Sequence, residues 1–397
     1  MVANPIGRSI MEWIRSLTKD EASKRKRQGM KGFWGMFLFI SLSIAGMFFV
    51  KTAAAVQIGE SNLSIHGHLT QAYANSSGGT ILGIPQDGTT DYRTAALMFR
   101  YKMTAKDTFV LQLSHERLGE SPLAEDHTVE MDWLYYQHQL RDSVSIKIGK
   151  IPIPYGIYNE VMHVGTVLPF YRPPSQFYGE VAFSSETVDG VVVSHALPLG
   201  AWELQTDVFA GEWDFVYVVD GVVTPVRSKS AAGAQFWLQT PMEGLRLGVG
   251  GYHSVDHNVP TIPPGRKQSQ KDWRASLDAD FEHFLFQAEY RKSESKNHDF
   301  QDYYALAGAR LGKFQVNVMA EIATLDLPTI VVPGLNFMDL KLHKDYAVSV
   351  NYKFRPDLVL KVEVHQLKTL NTEEPLVPLF MDPIKVKYYI VSLSTSF

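Results

Sequence analysis

From residue 62 to the C-terminus, apolar side chains recur at every second position. No long stretch keeps the 3.6-residue spacing of an amphipathic helix. Sixteen segments carry this alternation: 62–73, 91–104, 107–117, 127–139, 143–150, 186–196, 201–211, 231–240, 245–254, 271–281, 283–293, 300–311, 313–325, 344–355, 357–367 and 385–397. The last reads KVKYYIVSLSTSF. Counting back by twos from Phe397 gives Thr395, Leu393, Val391 and Tyr389, while Ser396, Ser394, Ser392, Ile390 and Tyr388 fall on the other, more polar face. Such a chain is expected to be all-β.

The connections decide between β architectures. Short ones (Ala105–Lys106, Arg141–Asp142, Pro198–Gly200, Pro241–Gly244, Gly312, Arg355–Pro356) alternate with long ones (74–90, 118–126, 151–185, 212–230, 255–270, 294–299, 326–343, 368–384). Short turns at one rim and long loops at the other, on strands long enough to cross a bilayer at a tilt, predict a transmembrane antiparallel β-barrel of about 16 strands. The even count puts both chain ends on the short-turn side. A pair of soluble sandwiches is the competing architecture, but it would call for one consistently polar outer face and compact turns. Composition agrees without deciding: hydrophobic residues make up 45% and mean hydropathy is −0.10, values a barrel with a polar lumen shares with soluble proteins. The 18 Tyr, 22 Phe and 7 Trp would supply aromatic girdles. There is no Cys, which excludes disulfides and thiolate-bound metals.

Residues 1–55 read as a targeting segment. KRKRQGMK at 24–31 precedes an uncharged apolar run from Gly32 to Val50, and TAAA follows at 52–55, the order of a cleaved signal peptide. A retained anchor is the alternative, since the run is near spanning length. The stretch before the basic cluster is long for a leader, and Met30 would make a more ordinary start. Nine of the 38 Lys/Arg and three of the 42 Asp/Glu lie in 1–55, leaving 29 basic and 39 acidic residues in 56–397. A net charge near −10 gives no support to nucleic-acid binding. Residues 56–397 are expected to form one domain.

Within the strands the apolar alternates should face lipid and the others a wet lumen. Ala95, Leu97, Phe99 and Tyr101 oppose Arg100 and Lys102; Phe109, Leu111 and Leu113 oppose Gln112, Ser114 and Glu116; Met131, Trp133 and Tyr135 oppose Glu130 and Asp132; Ile146 and Ile148 oppose Lys147. Further along, Glu289, Arg291, Arg310, Lys361 and Glu363 stand on polar faces. An Arg or Lys at the lipid midplane would cost about 2–4 kcal/mol, so these are lumen-wall candidates. They would either meet solute or form the ion pairs that line a closed wall.

The connection after the fifth strand is the longest, GKIPIPYGIYNEVMHVGTVLPFYRPPSQFYGEVAFSSETVDG from Gly149 to Gly190. Pro152, Pro154, Pro173 and Pro174 restrict it, and Tyr155, Tyr158, Phe170, Tyr171, Phe177 and Tyr178 give it rigid apolar surface. A loop so apolar should pack on something, and the barrel interior is nearest. Folded inward it would narrow the lumen, with Lys150, Glu160, His163, Arg172 and Glu180 as constriction candidates; a cover on the rim or a subunit contact are the alternatives.

Here the wording resembles that of Gram-negative outer-membrane porins, in which a G-[RK]-x-x-x-P-x-G-x-Y-[NS]-E type stretch follows an early strand. The matching positions are Gly149, Lys150, Pro154, Gly156, Tyr158, Asn159 and Glu160, with a related element from Pro174 to Tyr178. The terminal aromatic also resembles the insertion signal of such barrels, assigning Phe397 and Tyr389 to assembly. The resemblance implies a 16-stranded porin of the outer membrane, passing small hydrophilic solutes or ions passively. It further implies outer-membrane lipid, lipopolysaccharide and the barrel assembly machinery as partners, and a homotrimer as the common form. Phosphate-selective relatives carry lysine-rich constrictions, whereas this loop has only Lys150 and Arg172 among nearby acids.

No enzyme motif stands out: GxSxG, HExxH, a P-loop and a helix-opening GxGxxG are all missing. His66 and His68 share one strand face, but two imidazoles make a weak metal site, so neither metal nor cofactor is expected. Ser114–His115 and Ser194–His195 are sequence neighbours whose side chains point to opposite faces. A plugged structural or adhesive barrel is the main rival function, with an outer-membrane hydrolase behind it.

Overall fold

The computed structural model describes residues 56–57, 62–121, 123–124, 128–178, 186–219, 222–257, 267–296, 298–327, 338, 340–370 and 384–397. The proposed leader, residues 1–55, and Glu180 lie outside them. Sixteen long strands follow one another: β1 Leu63–Ser77, β2 Thr89–Lys102, β3 Asp107–Leu118, β4 Glu130–Arg141, β5 Val144–Pro152, β6 Thr187–Leu199, β7 Trp202–Val219, β8 Val222–Gln239, β9 Leu245–His257, β10 Lys267–Asp280, β11 Phe284–Ser295, β12 Asp299–Leu311, β13 Phe314–Asp326, β14 Leu340–Arg355, β15 Leu358–Thr369 and β16 Ile384–Ser396. Each pairs antiparallel with the next, and β16 pairs with β1 from Lys387 opposite Ser77 to Ser396 opposite His68. The sheet is therefore a closed barrel, which leaves no edge among these strands to template another chain. A two-residue stub, Val56–Gln57, pairs with Ile65 and Ser64 on β1.

The terminal residue completes the seam. Phe397 N–H donates to Gly67 O at 2.9 Å, and Gly67 N–H returns to Phe397 O at 3.0 Å. The Phe397 ring lies over Gly67, where an added Cβ would sit 2.6 Å from it, so only glycine leaves room. Tyr389, eight residues earlier on the same face, is exposed.

One face of the strands is apolar and exposed. Val191 and Val193 on β6, Val316 and Val318 on β13, Val348 and Val350 on β14, and Val362 and Val364 on β15 all belong to it. That ring of side chains is the surface a bilayer would cover. The opposite face is polar and largely buried over β9–β16: Asp272, Glu289, Arg291, Asp302, Glu321, Asp345, Lys361 and Glu363 belong there.

Two bulges shift the alternation from what the sequence suggested. Against β3, the β4 register jumps between Gln112, opposite Trp133, and Leu113, opposite Met131. The extra residue, Asp132, turns the rest of the strand over. Trp133 and Tyr135 thus share the face of Gln112 and Val110, not that of Met131, and Lys147 Nζ stands 5.7 Å over the Tyr135 ring. The second bulge corrects a loop boundary. The expected 212–230 loop is mostly strand, because β7 and β8 stay paired up to Val219 opposite Val222. A register shift between Gly211 and Trp213, with Ser230 at φ 56°, breaks the period without ending the ladder.

Candidate functional site

The segment between β5 and β6 is held by hydrogen bonds from strands on many sides of the barrel. Its path is set at the start, where Ile153 N–H donates to Glu186 O and the Asn159 amide spans Ile153 O and Glu186 O. Gly156 takes φ +61°, and a Cβ there would collide with the Tyr178 hydroxyl, so the chain can turn only at glycine.

Beyond this turn, polar side chains of the wall satisfy the segment's backbone. Gly156 N–H donates to Gln235 Oε1 on β8 (2.8 Å) and Ile157 N–H to Glu289 Oε1 on β11 (3.2 Å). Pro169 O accepts from Asn317 (3.2 Å), Ser349 (2.8 Å) and Asn351 (2.9 Å) on β13 and β14. On β15, Lys361 donates to Phe170 O (2.7 Å), and Glu363 accepts from Tyr171 N–H. Glu321 accepts from the N–H groups of Ser175, Gln176 and Phe177, which open the one-turn helix α1, Ser175–Tyr178. Arg291 bonds Asp302 at 2.8 Å, Gln176 O at 2.6 Å and the Tyr155 hydroxyl at 2.9 Å. At the far seam, Thr166 Oγ1 donates to Ser396 Oγ at 3.0 Å. Each buried backbone group left without a partner would cost about 1–3 kcal/mol, so this set fixes the segment's path.

Apolar packing works alongside. Tyr155, Tyr158, Phe177 and Tyr178 pack with Phe209, Trp213, Tyr252 and Tyr304 from the wall, and Tyr178 and Tyr304 both donate to Glu289. A second, shorter segment between β1 and β2 buries Ile81, Leu82 and Ile84 against Leu118, Leu367, Tyr388 and Ile390.

The other side of the segment is wetter. His163 stands 3.2 Å from Glu186 and 3.9 Å from Glu116 on β3, with side-chain exposures of 25%, 37% and 29%. Burial works against a charged imidazole, but Glu186 and Glu116 outweigh it and hold His163 up at about 10. Arg172 donates to the Tyr92 hydroxyl at 2.8 Å and lies over the rings of Tyr92 and Tyr171. Arg93, by contrast, falls on the outer face with Ala95 and Leu97, where it bonds His115 Nε2 at 3.2 Å and pairs with Asp91.

The residues singled out in the sequence fall into three groups. Glu289, Arg291, Lys361 and Glu363 are buried and bond the segment or its immediate supports. Glu116, Glu130, Asp132, Lys147, Arg100 and Lys102 sit on the polar faces of β2–β5, from half-buried to exposed: Asp132 accepts from Gln112 (2.9 Å), while Arg100 and Lys102 are exposed near the β2–β3 turn. Arg310 bonds Phe281 O and Asp280 near the β11 turn. Of the constriction set, His163 and Arg172 lie on the segment's wetter side, and Glu160 is exposed in the turn Asn159–Val161. Lys150 faces Leu134 in register and donates to Met131 O at 2.9 Å. Asn317, Glu321, Asp302 and Gln235 were not singled out. The signal for Glu321 was there, since Gln315, Asn317 and Glu321 alternate with apolar residues in QVNVMAEIA just as Lys361 and Glu363 do in β15.

The fold has known counterparts. The chain matches OmpT, an outer-membrane protein of Vibrio cholerae, with a TM-score of 0.56 at 11% identity, over 84% of this chain and 99% of that one. It matches OmpF of Salmonella typhi at 0.58 and 10% identity, over 87% of this chain and all of the other. The outer-membrane channel DcaP of Acinetobacter baumannii gives 0.56 at 9% identity, over 87% and 100%. No family description matches the sequence. No curated protein matches it either. The class is thereby defined: a 16-stranded antiparallel closed barrel of the kind found in outer-membrane porins and channels, as the sequence resemblance implied for the fold.

Proposed function

We propose that this chain is a porin of the Gram-negative outer membrane, and that small hydrophilic solutes or ions diffuse through it passively. The segment between β5 and β6 is read as folding into the lumen and narrowing it, leaving the water path between this segment and the polar faces of β1–β6. The observation that carries this reading is the asymmetry of the wall. Over β11–β15 the polar side chains are spent on the segment's backbone, whereas Glu116, His163 and Glu186 remain 25–37% exposed and carry both charge signs. Mixed charge at a narrowing selects among solutes by size and sign. Membrane lipid and the assembly machinery enter through the apolar belt and the sealed terminal strand; a homotrimer belongs to the same reading, and cross-linking in mild detergent tests it. No catalytic role is assigned to any residue.

The test is single-channel recording of the leader-free protein, refolded in detergent and inserted in a planar bilayer under a salt gradient. Discrete current steps with a defined reversal potential are expected. Protein demonstrably folded and inserted that passes no current would refute the porin reading in favour of a plugged barrel.

A further inference from the structure

We propose that Glu321, His343 and Asp345, on the polar faces of β13 and β14, form a binding site for a first-row divalent metal ion of the zinc or cobalt type. One ligand atom from each lies within 4.8 Å of the others, and all three residues are at most 2% exposed. His343 Nε2 is 3.4 Å from Glu321 Oε2. That is the edge expected of a tetrahedron whose ligands stand about 2.1 Å from its centre.

Proximity of acids and a histidine would not suffice. The second observation is that two buried atoms of the group, His343 Nε2, which is aimed at Glu321, and Asp345 Oδ1, have no hydrogen-bond partner among the described residues. The other end of each ligand is already held. Thr369 Oγ1 donates to Leu342 O at 3.2 Å, so toward His343 Nδ1, 3.3 Å away, it acts as an acceptor. With Nδ1 engaged as the donor, Nε2 is the ring nitrogen available to a cation, and it faces the Glu321 carboxylate. An imidazole nitrogen and a carboxylate oxygen that face each other in a buried place at 3.4 Å, with no hydrogen bond between them, stand where a shared cation would bridge them. Asp345 Oδ2 is bonded by His365 Nδ1 at 2.7 Å, which leaves Oδ1 available as a ligand atom. Glu321 is anchored by the N–H groups of residues 175–177. His343 and Asp345 each keep one atom without a hydrogen bond, and Glu321 Oε2 has lone-pair capacity beyond the bonds it takes from Ser175; ligands oriented by outer hydrogen bonds in this way are the usual construction of a metal centre.

The donor set is borderline-hard, one imidazole and two carboxylates, which suits zinc, cobalt or manganese better than thiophilic ions. On the Asp345 side of the group, a cavity of about 10 Å3 bordered by Ser175, Met319, Asp345 and His365 has room for about one water. A metal here would join β13 and β14 to α1 through Glu321. This proposal does not depend on the barrel being open.

The experiment refolds the leader-free barrel in detergent with Co2+ or Zn2+, removes free ion by desalting and counts metal per folded chain. About one equivalent is expected, with Zn2+ bleaching the visible bands of bound Co2+. His343→Gln and Asp345→Asn, both near-isosteric, should each weaken binding about 100-fold. His253→Gln, an exposed histidine bonded to Ser269 on a different part of the wall, should bind as wild type does. No metal retained by folded wild type, or equal retention by both ligand variants, overturns the proposal. Should a ligand variant fail to fold, the wild-type Co2+ spectrum decides: intense bands of a four- or five-coordinate nitrogen–oxygen site support it, and the spectrum of hydrated Co2+ refutes it.

Discussion

At the scale of single residues, the half-exposed group around His163 makes the sharpest forecast. An imidazole near pKa 6.5 in the unfolded chain is held to about 10 in the folded one. Its stabilising contribution is therefore full below pH 6.5, declines as the unfolded chain gives up its proton, and is gone above about 10. Loss of that proton also leaves Glu116 and Glu186 without their cation. Reversal potentials measured from pH 7 to 11 should move toward cation preference near pH 10 in wild type. His163→Gln should start shifted toward cations and lack that step. An identical titration in both proteins would remove His163 from the ion path.

Strands were legible as elements because a barrel wall writes its two environments into alternate positions. All sixteen could be placed from that signal, and charged residues such as Lys361 and Glu363 stood out on the polar faces. Bulges were not legible: one extra residue flips a strand, yet in the sequence it looks like ordinary irregularity. Asp132 is such a residue, so Trp133 and Tyr135 were assigned to the wrong face. The partners of the long segment were hidden for a different reason. Pro169 O meets Asn317 and Asn351 across separations of 148 and 182 residues, and backbone acceptors carry no side-chain signature. The chain has no cysteine, so the bulge can be probed on a clean background. Tyr135→Cys should react with a small charged thiol reagent in the folded, membrane-inserted protein. Tyr136→Cys, on the opposite face, should react with a lipid-soluble maleimide instead. The reverse pattern would show that the strand is not turned over.

For the whole molecule, closure rests on the β16–β1 seam. Deleting Phe397 removes two backbone hydrogen bonds and a ring that covers Gly67, a loss of about 2–3 kcal/mol. Gly67→Leu forces the same ring away while leaving the terminal residue in place. Both should unfold at lower urea than wild type, followed by the gel mobility shift between closed and opened barrels. Midpoints unchanged in both would mean that the seam is held elsewhere.

The same arrangement dictates an order of events. Residues 156–178 emerge early in synthesis, but the groups that hold them come from β8, β11 and β13–β15, and the last, Ser396, is the penultimate residue. Those strands therefore have to be in place before the segment can settle. Until then some twenty residues rich in tyrosine, phenylalanine and proline have nothing to rest on. A chaperone that shields this stretch during transit would be handling a part of the chain that cannot finish folding until the strands that bond it are paired.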